Sequence, residues 1–203
     1  MATIYLARHG QTEWNVTGKM QGWGNGELTE SGIRDAHSLG NRLQDISIDV
    51  IYSSTSKRAY QTAELIAGER TAPIIKDDRL REMSFGDWEG RLREEIEIEF
   101  ATEYKAFWET PHLYERNSGE LFADVAKRAE EIYKHIIAKH PSGTILIVSH
   151  SIFLKIFTAY LRNLSLDKLF TQTYLGNASL TKIHVTEGIP EFIFEGDRSH
   201  CEE

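Results

Sequence analysis

The chain has 203 residues, of which 40% are hydrophobic and 27% are charged, and its formal net charge is −8. No apolar run is long enough to span a bilayer, and no basic and apolar leader is visible at the N-terminus. Nucleic acids and anionic membranes need a broad basic surface, so we expect neither as a partner. Cys201 is the single cysteine, which excludes an intramolecular disulfide and predicts a cytoplasmic location.

Predicted strands and helices alternate along the chain. The apolar run 4–7 is a predicted strand, and 144–148 is the clearest buried strand. Further strands are predicted at 49–52, near 73–75, at 179–185 and at 191–194, and helices from Thr29, over 57–66, over about 120–140 and after His150. The last two strands are expected to form an antiparallel pair. This alternation predicts one α/β domain over 1–203, a three-layer α/β/α sandwich with a mostly parallel central sheet.

Three predicted strands end in residues suited to an anion. The first ends at Arg8-His9-Gly10, where Gly10 is expected to turn the backbone away, and later strands lead into Arg58 and His150. Parallel strands would bring these ends to one edge of the sheet, where the following helices point their N–H groups. A cation in the first turn of a helix opposes the helix dipole, so an Arg–His–Arg–His cluster around one anion explains Arg58 better than exposure does. A phosphate fits, because Arg binds its oxygens in a planar fork.

Motifs across most of the chain resemble one family. Leu6-Ala7-Arg8-His9-Gly10-Gln11-Thr12-Glu13-Trp14-Asn15 resembles the R-H-G-x-T-x-x-N signature of the histidine phosphatase superfamily, the phosphoglycerate mutase-like proteins. The resemblance continues, in the family's order, through Gln21-Gly22, Leu28-Thr29-Glu30-Ser31-Gly32, Ser53-Ser54, Arg58-Ala59, Gln61-Thr62, Leu80-Arg81-Glu82, Gly86-Asp87-Trp88-Glu89-Gly90 and Val148-Ser149-His150. The chain is most similar to the cofactor-independent, broad-specificity phosphatase branch. The resemblance implies an α/β sandwich and a phosphohistidine mechanism without metal or cofactor.

The resemblance also implies roles at the matching positions. His9 would be the nucleophile, Arg8, Arg58 and His150 the phosphate pocket, and Glu82 the proton donor. An imidazole attacks through an unprotonated nitrogen, so its other nitrogen should donate to a backbone carbonyl. Both arginines and a protonated His150 would offset charge on the phosphate oxygens. Glu82 would donate a proton to the leaving oxygen and then act as the base for water.

Four further residues are candidates for substrate binding. The resemblance implies a phosphate contact from Asn15 and places Gln21 and Gly22 at the border of the substrate. Ser151 stands where the family pattern most often has glycine after the second histidine. Its Cβ would narrow the pocket and its hydroxyl could add a hydrogen-bond donor. Ser151 is therefore expected to leave the phosphate site intact and to affect substrate preference.

Several functions remain open on the sequence. The leading hypothesis is a phosphomonoester hydrolase for small phosphorylated metabolites; the alternatives are a phosphoglycerate mutase, a ribazole-phosphate-type phosphatase and a non-catalytic phospho-ligand module. Family mutases carry a longer insertion between the acid and the second histidine, and here that interval is only 83–149, which favours hydrolysis. No metal-ligand spacing such as H-x-H or HExxH is present, so no metal is expected.

The residues themselves also admit plainer explanations. Without the family, Glu82 is a solvated carboxylate and His150 a capped core histidine, while Glu120, Asp124 and Arg128 are capping and i,i+4 pairing residues. Ser53-Ser54-Thr55-Ser56 is interpreted as a supply of capping hydroxyls for the next helix.

An aromatic segment follows the acid. Residues 84–118 are a predicted helical cap over the pocket, and this segment has few basic side chains. We therefore expect broad acceptance of esters with apolar or aromatic leaving groups. The number of subunits cannot be read from the sequence.

Overall fold

The computed structural model describes residues 1–116 and 118–201, in which six strands and seven helices occur. The strands are β1 (Ala2–Arg8), β2 (Val50–Ser54), β3 (Ile74–Asp77), β4 (Gly143–Ser149), β5 (Leu180–Thr186) and β6 (Ile189–Asp197). The helices are α1 (Glu13–Val16), α2 (Glu30–Arg42), α3 (Lys57–Ala67), α4 (Arg93–Glu99), α5 (Ala101–Glu109), α6 (Phe122–Lys139) and α7 (Ser151–Leu161). Among these helices, none is long and apolar enough to cross a membrane.

All six strands belong to one sheet, in the order β3-β2-β4-β1-β5-β6. The pairs β2–β3, β2–β4 and β1–β4 are parallel, whereas β5 is antiparallel to β1 and β6 is antiparallel to β5. The predictions of a mostly parallel sheet and of a closing antiparallel pair are thus confirmed. In the register, Arg8 lies opposite Ser149 and Ser53 lies opposite Val148. The ends of β1, β2 and β4 therefore meet at one edge.

The two faces of the sheet explain the three layers. Side chains alternate along a strand, so Ile4 and Leu6 of β1 pack into the core beneath α6 and α7. Tyr5 and Ala7 point the other way and pack with the buried residues of α2 and α3. Each face of the central strands is thus covered by helices, as expected for strands apolar at nearly every position.

The aromatic segment after Glu82 is not one continuous helix. It contains a 3₁₀ turn at Gly86–Trp88, the helices α4 and α5, and a second turn at Pro111–Leu113. Phe100 separates α4 from α5 because its backbone leaves the helical region, at φ −121° and ψ 44°. That 84–118 acts as a cap, and that 1–203 is one domain, stay predictions; residues 117, 202 and 203 lie outside the described part of the chain.

Candidate active site

The strand ends bring five predicted site residues together at one edge of the sheet. Arg8 is the last residue of β1 and His9 follows it, Arg58 lies in the first turn of α3, and His150 directly precedes α7. Glu82 comes from the irregular stretch after β3. All five are buried, with 7% or less of each residue exposed, and the rings of the two histidines are 5.1 Å apart. The predicted cluster of two arginines, two histidines and a glutamate is therefore present.

Gly10 is needed for a close approach of two backbones. A Cβ at this position would lie 2.5 Å from the carbonyl oxygen of Gly32 in α2. The Gly10 N–H donates to Thr62 Oγ1 of α3 at 3.0 Å. The glycine thus lets the loop after β1 pack against α2 and α3, and the expectation that it supplies a special turn is replaced by this steric reason.

His9 is held as a neutral imidazole with one nitrogen available. Its Nδ1 lies 2.7 Å from the carbonyl oxygen of Gly10, which can only accept, so Nδ1 carries the proton. Burial, followed by the charges of Arg58 and Arg8, lowers the pKa of His9 well below its ordinary value. Nε2 is consequently unprotonated and accepts a hydrogen bond from Arg58 Nε at 3.3 Å. The expected pairing of Nδ1 with a backbone carbonyl is confirmed.

His150 is also neutral in this structure. Its Nδ1 lies 3.1 Å from Arg58 Nη2 and must accept, so the proton is on Nε2 and is donated to Ser54 Oγ at 2.8 Å. Burial lowers the pKa of His150 well below its ordinary value, and the charge of Arg58 adds to this shift. Two buried arginines nearby oppose a third positive charge on this ring, and a protonated His150 around a bound phosphate stays a prediction.

Ser54, the last residue of β2, and Ser56, just before α3, contact His150, which their sequence position did not predict. Ser56 Oγ lies 3.1 Å from His150 Nε2, and the Ser56 side chain makes no capping hydrogen bond to α3. The interpretation of this run as capping hydroxyls is wrong for Ser54 and Ser56. The available signal was that Ser53-Ser54 ends a strand at the same edge as His9 and His150.

Arg58 joins the two histidines to the loop after α1. Its Nη1 donates to the Gly24 carbonyl at 2.6 Å and its Nη2 to the Gly22 carbonyl at 2.8 Å. Burial lowers the pKa of Arg58 to about 10, so the guanidinium stays charged at neutral pH. Its position in α3 is thus explained by the site, as the sequence predicted.

Arg8 supplies the second positive charge. Its Nη1 donates to the Leu175 carbonyl at 2.8 Å, while its buried Nε has no hydrogen-bond partner among the described residues. Arg8 lines the site cavity, and a buried guanidinium N–H without a partner is suited to an incoming anion.

Glu82 is anchored to the N-terminus of α7. Its Oε1 accepts from the N–H groups of Met83 at 2.9 Å and Phe153 at 3.0 Å, and its Oε2 accepts from Ile152 at 3.1 Å. A carboxylate is stabilised there by the N–H groups and the helix dipole. The plain alternative of a solvated surface carboxylate is wrong, since Glu82 is 7% exposed.

The predicted substrate-binding residues all line one cavity. Asn15 caps α1 through Oδ1, which accepts from Thr12 and from Asn177 Nδ2 at 3.1 Å. Gln21 Oε1 is buried with no partner in the described chain, and Gly22 adopts φ +51° and would clash with Glu89 if it carried a Cβ.

Ser151 forms the first residue of α7 at the cavity wall. Asn177 was missed by the sequence reasoning, although its Nδ2 also donates to the His9 carbonyl at 3.2 Å. It lies in an irregular stretch before β5, where periodicity gives no signal.

The cavity has a volume of about 290 Å³ and is lined by both aromatic and positively charged side chains. Phe85, Phe107, Trp108, Phe170 and Tyr174 form its aromatic part. Lys19, Arg93 and Lys155 also line it, and neither Lys19 nor Arg93 forms an ion pair with a described residue. The segment 84–118 contributes one of these cations, Arg93 of α4, whereas Lys19 and Lys155 come from other parts of the chain, so the cavity holds more positive charge than the segment alone suggests. No group of three or more potential metal ligands occurs in 1–116 and 118–201.

Fold and site together define an α/β protein with a cavity lined by two buried arginines and by a neutral imidazole whose Nε2 is unprotonated. A family model of the histidine phosphatase superfamily (branch 1) matches residues 4–197. The chain belongs to this superfamily, and the prediction of a phosphatase of this family is confirmed.

Among curated proteins, phosphoserine phosphatase 1 of Hydrogenobacter thermophilus is 34% identical over 187 residues, 92% of this chain and 88% of the relative. A 2,3-bisphosphoglycerate-dependent phosphoglycerate mutase of Bartonella bacilliformis is 31% identical over 84% of this chain and 86% of its own length. Among solved structures, Bacillus stearothermophilus YhfR is 44% identical over the whole of both chains, with a TM-score of 0.96. The alpha-ribazole phosphatase of Shigella flexneri is 28% identical over 97% of this chain and 96% of its own, with a TM-score of 0.88.

Because the pKa of His9 is lowered on folding, we expect the protein to lose stability as the pH falls below about 6.5. The unfolded chain then takes up a proton that the folded protein does not, at a cost of up to about 1.4 kcal/mol per pH unit. Urea unfolding at pH 7.5, 6.5 and 5.5 measures this, and His9→Gln should have the shallower slope. Equal slopes for the parent protein and His9→Gln would contradict a neutral, buried His9.

Proposed function

We propose that this protein hydrolyses small phosphomonoesters in two steps, with His9 as the nucleophile. The observation that carries the proposal is the pairing of His9 Nδ1 with the Gly10 carbonyl, 2.7 Å away, which leaves the Nε2 lone pair directed into a site with two arginines. Phosphoryl transfer asks an enzyme chiefly for positioning and for compensation of charge. Both are available here without a metal ion.

In the first step, His9 Nε2 attacks phosphorus and the bond to the ester oxygen breaks. The phosphoryl oxygens lie among Arg8, Arg58 and the ring of His150, and the unpartnered Nε of Arg8 donates to one of them. Arg58 gives up its hydrogen bond to His9 Nε2 and turns that N–H to the phosphoryl group. The dianion also favours proton uptake by His150, so a neutral ring in the free protein and a charged one in the complex are compatible.

Glu82 completes both steps as acid and then as base. Oε1 accepts two backbone N–H groups and Oε2 accepts one, so Oε2 is the oxygen with room to carry the proton. That proton passes to the leaving oxygen as the alcohol departs. In the second step the carboxylate takes a proton from water, which attacks the phosphohistidine and releases inorganic phosphate.

The segment 84–118 is proposed to act as the cap of this site. Phe85, Arg93, Phe107 and Trp108 of this segment line the same cavity as Arg8, His9 and Glu82. An aromatic wall suits leaving groups with apolar or aromatic parts, which extends the hydrolase to a broad range of esters. The unpaired cations give the same cavity a place for a second negative group.

Phosphoglycerate mutase is the second candidate, and Lys19 and Arg93 are the observation in its favour. The short interval 83–149 does not separate the two activities, because a relative named as a mutase is matched over 86% of its length by this chain and is close to it in length. A relative from Entamoeba histolytica, described as a phosphoserine phosphatase in complex with 3-phosphoglyceric acid, is 29% identical over the whole of both chains, with a TM-score of 0.87. We therefore regard a phosphorylated acid as one substrate among several.

The first test is the covalent intermediate. Rapid-quench labelling with a radioactive phosphate ester, in buffer containing EDTA, is expected to trap acid-labile, base-stable phosphate on the protein. His9→Ala should abolish both the label and the turnover, whereas His135→Ala, at an exposed position of α6, should change neither. Turnover at the parent rate in His9→Ala would exclude the mechanism, and loss of activity in EDTA would point to a metal.

A second prediction isolates Glu82 through the leaving group. An alkoxide needs a proton, so Glu82→Gln should slow phosphoenzyme formation from an alkyl phosphate by roughly 10²–10⁴-fold. A nitrophenolate leaves without help, so p-nitrophenyl phosphate should lose far less. The measurement is the single-turnover rate with each ester, because loss of the base in the second step would mask the difference in steady state. Equal rate losses for the two esters would exclude Glu82 as the acid, and Asp87 and Glu89 would be tested next.

A panel of esters tests the mixed cavity. We expect phenyl and alkyl phosphates, phosphoserine and 3-phosphoglycerate all to be hydrolysed. Lys19→Met with Arg93→Met should lower kcat/KM for the two phosphorylated acids by about 10-fold, the worth of one charged hydrogen bond, and leave phenyl phosphate nearly unchanged. Conversion of 3- to 2-phosphoglycerate in place of phosphate release would establish the mutase, and hydrolysis of 3-phosphoglycerate alone would refute the broad specificity.

A further inference from the structure

The proton donor of the proposed mechanism lies on a backbone that no helix or strand holds. Glu82 falls between the 3₁₀ turns Asp78–Leu80 and Gly86–Trp88. A general acid must stay within hydrogen-bond reach of its partner, and an error of 1 Å in such a placement can cost about 10²-fold in rate. Interactions outside regular secondary structure must therefore fix this stretch.

We infer that Arg128 and Glu120 are positioning residues that hold Glu82 in place for proton transfer; this inference rests on the proposed role of Glu82. Arg128 Nη1 donates to the carbonyl oxygens of Arg79 at 2.9 Å and Arg81 at 2.5 Å. Its Nη2 donates to the Glu82 carbonyl at 3.0 Å and to Glu120 Oε2 at 3.0 Å, and its Nε donates to Glu120 Oε1 at 2.9 Å. All five guanidinium N–H groups are thus used, three of them on the backbone that carries the acid.

Glu120 secures the other side of the same stretch. Its Oε2 accepts from the Ser84 N–H at 2.8 Å, and its own N–H donates to the Ser84 carbonyl at 2.9 Å. The side chains of Glu120 and Arg128 are 19% and 13% exposed, so solvent screens their ion pair only in part. This pairing replaces the expected i,i+4 contact, since Asp124 accepts from the Leu121 N–H instead.

The helix that carries Arg128 is anchored in the hydrophobic core. Arg128 projects from the middle of α6, an 18-residue helix whose apolar face is buried against the sheet. The guanidinium also lies 5.2 Å from the ring of Phe153, whose N–H donates to Glu82 Oε1. Arg128 therefore contacts the elements that hold the backbone of Glu82 and the helix start that holds its carboxyl group.

The geometry requires an arginine in particular. Its planar fork presents five N–H groups in fixed directions, whereas a lysine offers one compact charge with three rotating donors. Arg128→Lys keeps the positive charge near His150 and removes the simultaneous hydrogen bonds to three carbonyl oxygens. A positioning role and a purely electrostatic role therefore give different results in this one variant.

The test compares single-turnover rates of phosphoenzyme formation from an alkyl phosphate and from p-nitrophenyl phosphate. Arg128→Lys is expected to slow the alkyl ester by roughly 10–10²-fold and the nitrophenyl ester by less than about 3-fold. Combined with Glu82→Gln, it should add no further loss for the alkyl ester, because the group that it positions is gone. Glu120→Gln should show the same selectivity and replaces Arg128→Lys if that variant does not fold.

Arg70→Lys is the matched control. Arg70 donates to the carbonyl oxygens of Ile66, Ala67 and Gly40 and does not line the cavity, so both esters should react at the parent rate. Equal losses for the two esters in Arg128→Lys, or a further loss in the Glu82→Gln background, would overturn the inference. If Glu82→Gln slows both esters equally, Glu82 is not the acid, and the positioning role of Arg128 and Glu120 is excluded with it. Labelling of His9 tests the hydrolase activity separately.

Discussion

The buried guanidinium of Arg58 is the interaction on which the rest of the site depends. It donates to His9 Nε2, to His150 Nδ1 and to the carbonyl oxygens of Gly22 and Gly24. One side chain thus connects the ends of β1 and β4, the start of α3 and the loop that borders the cavity. Because a buried charge is costly without partners, removing any of these acceptors would leave part of the guanidinium unsatisfied.

This arrangement also sets the protonation of the site. Two buried arginines lower the pKa of both histidines below the ordinary range, and burial is the larger cause in each case. Neutrality leaves His9 with the unprotonated Nε2 that its proposed role as nucleophile requires, and gives His150 a proton on Nε2 for Ser54. The cost is a dependence of folding on pH, since the unfolded chain would protonate both rings in mild acid. The folded protein is therefore less stable in mild acid, because it keeps both imidazoles neutral.

The charges of the molecule are divided between its surface and its site. The chain as a whole carries −8, yet Arg8 and Arg58 lie within the cavity and Lys19 and Arg93 lie on its wall. An anionic substrate is therefore attracted locally and not by the field of the whole protein, and solvent screens the buried Arg8 and Arg58 least. The cavity thus combines aromatic rings with positively charged side chains.

Much of this site could be predicted from the sequence because its residues stand at strand ends. An apolar run that stops at Arg8-His9, and another that stops at His150, place functional groups at the edge of any parallel sheet, whatever the loops do. The alternation of strands and helices gave the three layers for the same local reason. The motifs then identified Glu82, Asn15, Gln21 and Gly22 by resemblance, without showing what surrounds them.

Only the tertiary structure decided which partners those residues have. The contact of Ser54 with His150, and that of Asn177 with the His9 carbonyl, join residues about 100 and 170 positions apart, which no local pattern encodes. The hold of Arg128 on the Glu82 backbone spans 46 positions and replaced an expected i,i+4 pair. Periodicity reports which face of an element is buried, whereas these hydrogen bonds depend on how loops between the elements meet. The sequence by itself determined the sheet edge and its charged groups; packing of the loops determined their protonation and their geometry.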